Sequence, residues 1–287
     1  MSLTIELIHT LVILAQVAAG VCLSGAPALW LRGFAELCLS LTLGLAALMA
    51  AADALFSRLG RPLQARPAPP KRLAELAESM RAMVVFSGFA AWPRLLLAQG
   101  RPTALVSLAQ AQPEAPDAVA LYALKLVGVT LLVDFYMYIK HRLLHWGSNF
   151  AYHKQHHAFT SPSPFASFAV APVEAALTFA PVLALCLPSA PVWAAAYAVW
   201  TGCFVLLNLY LHSGVRVQLL EALALAGLNT SSFHDWHHES GGRENFGELC
   251  YLWDYALSSG AHPARREPEG EGAQPARAKG VRRKRAP

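Results

Sequence analysis

His141-Arg-Leu-Leu-His145-Trp-Gly-Ser-Asn-Phe-Ala-Tyr-His153-Lys-Gln-His156-His157 closes a hydrophobic run that begins near residue 118. The run approaches the roughly 20 residues that a helix needs to cross about 30 Å of hydrocarbon. At its end, residues four apart share a helical face, so His141 and His145 stand roughly 6 Å apart along one side of the helix axis. The same arithmetic gathers His153, His156 and His157, and His234-Asp-Trp-His237-His238 repeats that spacing downstream. Eight of the eleven histidines therefore fall into three tight groups. A pH-sensing or surface patch of imidazoles has no reason to repeat a one-face spacing three times beside apolar segments. Eight rings also exceed the four ligands of one structural zinc site, and two metal ions account for the number. Imidazole suits zinc, copper, iron and nickel alike, so the spacing does not name the ion.

Outward from this stretch the chain stays apolar. With 55% hydrophobic and 14% charged residues and a mean hydropathy of +0.37, the composition excludes an ordinary soluble domain of this length. Apolar segments near 3–24, 34–56, 82–99, 118–140, 172–190 and 191–212 predict an all-α integral membrane bundle with four to six membrane segments in hairpins. The first segment lacks a basic leader, carries Glu6 and His9, and precedes a second long apolar run, so it reads as a retained helix. The segment 82–99 is short and contains Pro93 and Arg94, which leaves open whether it crosses. The loop 57–81 holds Arg58, Arg61, Arg66, Lys71, Arg72 and Arg81, and short cytosolic loops collect such cations. If 82–99 crosses, three hairpins return every histidine group to that same cytosolic side as a histidine-rich cap.

Three regions follow: membrane helices with a basic loop over 1–117, the histidine-bearing region over 118–260, and a tail over 261–287. The tail is rich in Pro, Gly and Glu and ends in Lys279-Gly-Val-Arg-Arg-Lys-Arg285, a composition expected to stay disordered and solvated. Five widely spaced cysteines without a C-x-x-C pair predict reduced thiols. Nothing in the pattern points to nucleic acid.

Three further residues are candidates. Asn208 and His212 lie one helical turn apart at the end of an apolar segment, where a polar pair is costly unless it faces a cavity or a metal. His212 reads as a ninth ligand. Asn208 reads either as a direct or water-bridged ligand or as a hydrogen bond between helices. Asp134 falls between His141 and His145 on a helical wheel, where a carboxylate could take the outer N–H of a ligating ring; solvation of a helix end is the competing reading. His9 reads as packed and His262 as solvated.

These residues resemble the membrane fatty acid hydroxylase/sterol desaturase superfamily, with its H-x-x-x-H box, H-x-x-H-H box, single histidine and final H-x-x-H-H box. The matching positions are His141 to His145, His153 to His157, His212 and His234 to His238, followed by Asn245-Phe-Gly247. The resemblance covers about residues 118–260. It implies two iron ions, with zinc possible in isolated protein, that activate O2 to hydroxylate or desaturate a membrane lipid, a sterol ahead of a fatty acyl chain. It also implies electrons from NAD(P)H delivered by a partner reductase with a b-type cytochrome or ferredoxin. The expected membrane is the endoplasmic reticulum in a eukaryote or the inner membrane in a bacterium. After Leu252-Trp253-Asp254 the chain departs from the usual Arg-containing run, which bears on the substrate more than on the metal. A catalytically silent membrane protein that keeps a structural histidine-bound zinc is the alternative.

Overall fold

The computed structural model describes residues 3–65, 69–107, 116–189 and 191–260. The tail, His262 and Arg66 lie outside the described residues. Helices α1 (Leu3–Leu23), α2 (Pro27–Leu59), α3 (Arg72–Ala98) and α4 (Pro116–Leu144) precede the histidine-rich stretch. After it come α5 (Pro172–Phe179), α6 (Ala194–Leu211), the one-turn α7 (Gln218–Glu221), α8 (Ser231–Glu239) and α9 (Leu252–Ala256). Five described helices are long and apolar enough to cross a membrane: α1, α2, α3, α4 from Ala120 onward, and α6. Their outward leucines, such as Leu3, Leu11, Leu43, Leu124 and Leu132, are exposed in a way that hydrocarbon tolerates and water does not.

Two segments differ from expectation. The weak segment 82–99 is the C-terminal part of α3, which starts ten residues earlier at Arg72 and is long enough to cross. It packs against α1, α2 and α5 as the central helix, and that packing carries Pro93 within the helix although the ring removes a backbone donor. The segment 172–190, expected as one spanning helix, is instead the short α5 followed by a 3-10 turn over Ala180–Cys186. Pro181 explains the break. Proline has no N–H to give the Leu177 carbonyl four residues back, and here the Tyr136 hydroxyl donates to that oxygen at 2.6 Å.

Two small ladders mark the two ends of the bundle. At one end β1 (Arg61–Pro62) pairs antiparallel with β4 (Val215–Arg216); at the other β2 (Leu105–Val106) pairs in parallel with β3 (Val192–Trp193). Helix α3 leaves the first end and reaches the second, and α6 returns. The broken segment makes the opposite trip, because Ala104 N donates to the Leu185 carbonyl at 2.8 Å beside β2. The basic loop thus shares an end with the C-termini of α4 and α6, where the histidines lie. Gln64 ties that loop to the histidine region, its Nε2 donating to the Thr160 carbonyl at 2.8 Å and to Asp235 Oδ1 at 2.9 Å. Beneath the site the core joins Met49, Met83, Val85, Phe168, Ala175 and Leu209 from α2, α3, α5, α6 and the 165–170 loop.

Candidate metal centre

Five chain segments deliver the histidines. The last turn of α4 carries His141, with His145 just beyond it; 3-10 turns over 147–152 and 156–158 place His153, His156 and His157. His212 ends α6, and α8 turns His234, His237 and His238 inward, all three buried. The rings converge in two sets. His141, His145, His153, His157 and His237 form one; His156, His212, His234 and His238 form the other, and within each set one nitrogen per ring lies within 4.8 Å of the rest. All nine residues singled out as metal ligands in the sequence are therefore brought together.

The ring nitrogens themselves decide whether this donor set fits metal ions. His212 Nδ1 lies 3.0 Å from the Asn208 carbonyl and His156 Nδ1 lies 3.4 Å from the Ala169 carbonyl. Carbonyl oxygens only accept, so both rings carry their proton on Nδ1 and leave Nε2 bare. Those two bare Nε2 atoms face each other at 3.4 Å. The first set repeats the pattern: His141 Nδ1 donates to the Phe246 carbonyl at 2.9 Å and His237 Nδ1 to the Glu244 carbonyl at 2.6 Å. His153 Nε2 lies 3.1 Å from both His141 Nε2 and His157 Nε2, and His237 Nε2 lies 3.1 Å from His157 Nε2. Two ligands each about 2.1 Å from a common ion are separated by about 3.0 Å at a right angle and about 3.4 Å at a tetrahedral one. Lone pairs aimed at one another over such spacings fit a cation in each set.

Burial keeps these rings neutral, the form in which imidazole binds metal. It lowers His145 and His212 to about 4 and His237 to about 3. Burial and, behind it, neighbouring imidazoles also push His153, His156, His157, His234 and His238 down.

The other two candidates do not behave as ligands. Asp134 was expected to touch His141 or His145 and touches neither. Its Oδ1 accepts from Leu249 N at 3.0 Å, and its Oδ2 accepts from Cys250 Sγ at 2.6 Å and Trp253 Nε1 at 2.9 Å. The carboxylate is 2% exposed, so it does not solvate a helix end either; it anchors the 249–253 segment against α4. Asn208 donates from Nδ2 to the Ser167 carbonyl at 2.8 Å, so its side chain ties α6 to the 165–170 loop, while its backbone oxygen holds His212. His9 is fully buried, as its packed reading required.

Several residues support the centre in ways that the sequence did not reveal. Asp254 accepts from Phe246 N at 2.9 Å and Gly247 N at 2.6 Å, fixing the loop whose Phe246 carbonyl holds His141. Asn245 enters that loop at φ 64°, a conformation Asn tolerates, and a Cβ on Gly247 would lie 2.8 Å from Asp254 Oδ2. The Asn-Phe-Gly motif is thus a buttress for His141. Gly242 serves His145 in the same way, since a Cβ there would overlap the imidazole ring. Glu174 accepts from His153 Nδ1 at 2.6 Å. A lone carboxylate in an otherwise apolar segment was the available signal for it.

Two cavities reach the centre. A narrow one of about 50 Å³ lies between Phe168, Phe179, Phe204 and Leu211 and touches histidines of both sets. An open one of about 830 Å³ meets only His145, between Trp146, Phe150, Arg142 and Arg243.

A helical membrane bundle whose nine inward histidines converge in two sets, each able to hold a metal ion, is the class of protein that the fold and site define. Residues 126–259 match the family model described as fatty acid hydroxylase. The chain is also 32% identical over 152 residues to the lathosterol oxidase of Mus musculus, covering 50% of this chain and 47% of the relative. The match thus spans about half of that relative. No solved structure matches the chain. Over residues 126–259, just under half of the chain, the sequence is thus similar to the fatty acid hydroxylase family.

Proposed function

We propose that the protein is a di-iron, O2-dependent membrane oxygenase that hydroxylates or desaturates a lipid, a sterol in preference to a fatty acyl chain. The observation that carries the reading is the pair of bare Nε2 atoms on His156 and His212, matched by the bare nitrogens of the first set. Iron rather than zinc suits the reading because attack on an unactivated C–H bond is redox chemistry. When bound, the two irons supply activation of dioxygen and removal of hydrogen from a substrate carbon. His141, His145, His153, His157 and His237 would hold one ion, and His156, His212, His234 and His238 the other.

The chain's own side chains do the rest. Phe168, Phe179, Phe204 and Leu211 offer an apolar side of the narrow cavity to a substrate arriving from the bilayer, while Lys140, Glu174 and Glu248 line it as well. The carbonyls of Phe246, Asn208, Ala169 and Glu244 fix the tautomers, so the ligands meet the ions preorganised. Sterol preference is supported by the similarity to the mouse lathosterol oxidase. The 118–260 region is the catalytic unit in this reading, facing the cytosol with the basic loop, in the endoplasmic reticulum of a eukaryote or the inner membrane of a bacterium. Electrons come from NAD(P)H through a reductase with a b-type cytochrome or ferredoxin.

Lipid profiling of cells with and without the protein tests the activity. The expected result is a sterol or acyl lipid that gains one oxygen or loses two hydrogens when the protein is present. Unchanged lipids in cells that make metal-loaded, electron-supplied protein would leave the silent, zinc-holding alternative.

A further inference from the structure

His153 sits at the middle of the five-histidine set, its Nε2 3.1 Å from those of both His141 and His157. Its outer nitrogen differs from the others. Backbone carbonyls take the Nδ1 protons of His141, His156, His212 and His237, whereas His153 Nδ1 lies 2.6 Å from Glu174 Oε2. Here the partner of the ring is a carboxylate rather than a backbone carbonyl. Glu174 is itself 2% exposed and does not stand alone. Lys140 Nζ lies 3.9 Å from its Oε1, and that ammonium also donates to Thr178 Oγ1 at 3.0 Å and to Glu248 Oε1 at 2.9 Å. Lys140 immediately precedes His141 in α4, and Thr178 lies one turn beyond Glu174 in α5. The network therefore ties the α4 end of the centre to the broken helix α5, and its charge chain terminates on a ring nitrogen.

We propose that Glu174 is a positioning residue that fixes and strengthens His153 as a ligand of the five-histidine set, with Lys140 holding the carboxylate against the ring. The inference rests on the two-metal reading above. A carboxylate accepting the outer N–H makes imidazole a better donor to a metal than a carbonyl does, and a short charge-assisted bond fixes the plane of the ring. Buried this deeply, the carboxylate needs both partners: the ring N–H on one oxygen and the ammonium near the other.

The test is metal content and chelator competition on the purified, detergent-solubilised full chain. Wild-type protein is expected to hold two irons per chain. Glu174→Gln keeps the shape of the side chain but removes its charge, and should weaken the five-histidine set roughly 10–100-fold, so that limiting chelator leaves one iron per chain in the other set. Lys140→Met combined with Glu174→Gln removes the ammonium together with the carboxylate, which restores folding if the single variant is unstable only because Lys140 is left with Glu248 as its one carboxylate partner. The double variant should still hold one iron. Two irons at wild-type affinity in Glu174→Gln would overturn the proposal, and so would recovery of both irons in the double variant, because Glu174 would then serve only to share the charge of Lys140 with Glu248. Wild-type protein that binds no metal would overturn the two-metal reading itself, an outcome distinct from either.

Discussion

His237→Ala is expected to abolish lipid oxidation while leaving the protein in the membrane. His237 is fully buried, its Nδ1 is spent on the Glu244 carbonyl, and its Nε2 points at His157 Nε2 from 3.1 Å. Its ring packs edge-on to His141 with centroids 4.5 Å apart. Alanine removes a donor from the five-histidine set and opens a void between two helical segments, so the neighbouring rings lose the packing that aims them. Loss of an outer partner of a ligand typically costs roughly 10–100-fold, and loss of the ligand itself should exceed that. Insertion rests instead on α1, α2, α3, α4 and α6, none of which includes residue 237. Product formation and membrane-fraction content, measured together at matched expression, should therefore separate. His262→Ala, outside the described residues, is the control and should leave product formation intact. Equal losses in the two variants would remove the ligand assignment.

Asp254→Ala should cause the largest loss of stability among the supporting residues. Besides the Phe246 and Gly247 amides, its carboxylate accepts from Ser259 Oγ at 2.8 Å. Alanine leaves those donors without an acceptor inside the cap, at about 1–3 kcal/mol for each that stays dry. Two or three such losses are comparable to much of the 5–15 kcal/mol by which folded proteins typically exceed their unfolded states. The consequence reaches the centre, because the Phe246 carbonyl is the Nδ1 partner of His141. Thermal unfolding of detergent-solubilised protein should show a lowered midpoint, with metal lost in parallel; Asp254→Asn, which keeps one acceptor oxygen, should fall between. An unchanged midpoint in the alanine variant would mean that the 246–254 turn is held by other contacts.

The histidine sets were legible in the sequence because their spacing is local: three- and four-residue separations define a face before any tertiary contact exists. The all-α membrane architecture was legible for the same reason, since each apolar run carries its own length. Asp134 was misread because a helical wheel gives the angle of a side chain and says nothing of what docks there. Its partners Leu249, Cys250 and Trp253 lie 115 to 119 residues away in sequence. Asp254 and Phe246 stood in recognisable stretches, but their roles were invisible on the same ground, as they act through a turn whose geometry depends on the cap being assembled. The break in 172–190 had a local cause in Pro181, yet hydropathy alone passes over a proline that leaves the run apolar. The broken segment still connects the two ends of the bundle, so the hairpin arithmetic that gathers the histidines at the basic-loop end survives the correction.

X-ray absorption at the iron and zinc edges, with metal quantitation, on full-length protein purified under reducing conditions tests the two-metal reading most directly. Two irons per chain, each surrounded by imidazole nitrogens at about 2.0–2.3 Å, slightly longer than zinc–imidazole bonds, is the result expected. A single zinc per chain in a four-nitrogen shell, with the iron edge silent, would contradict it.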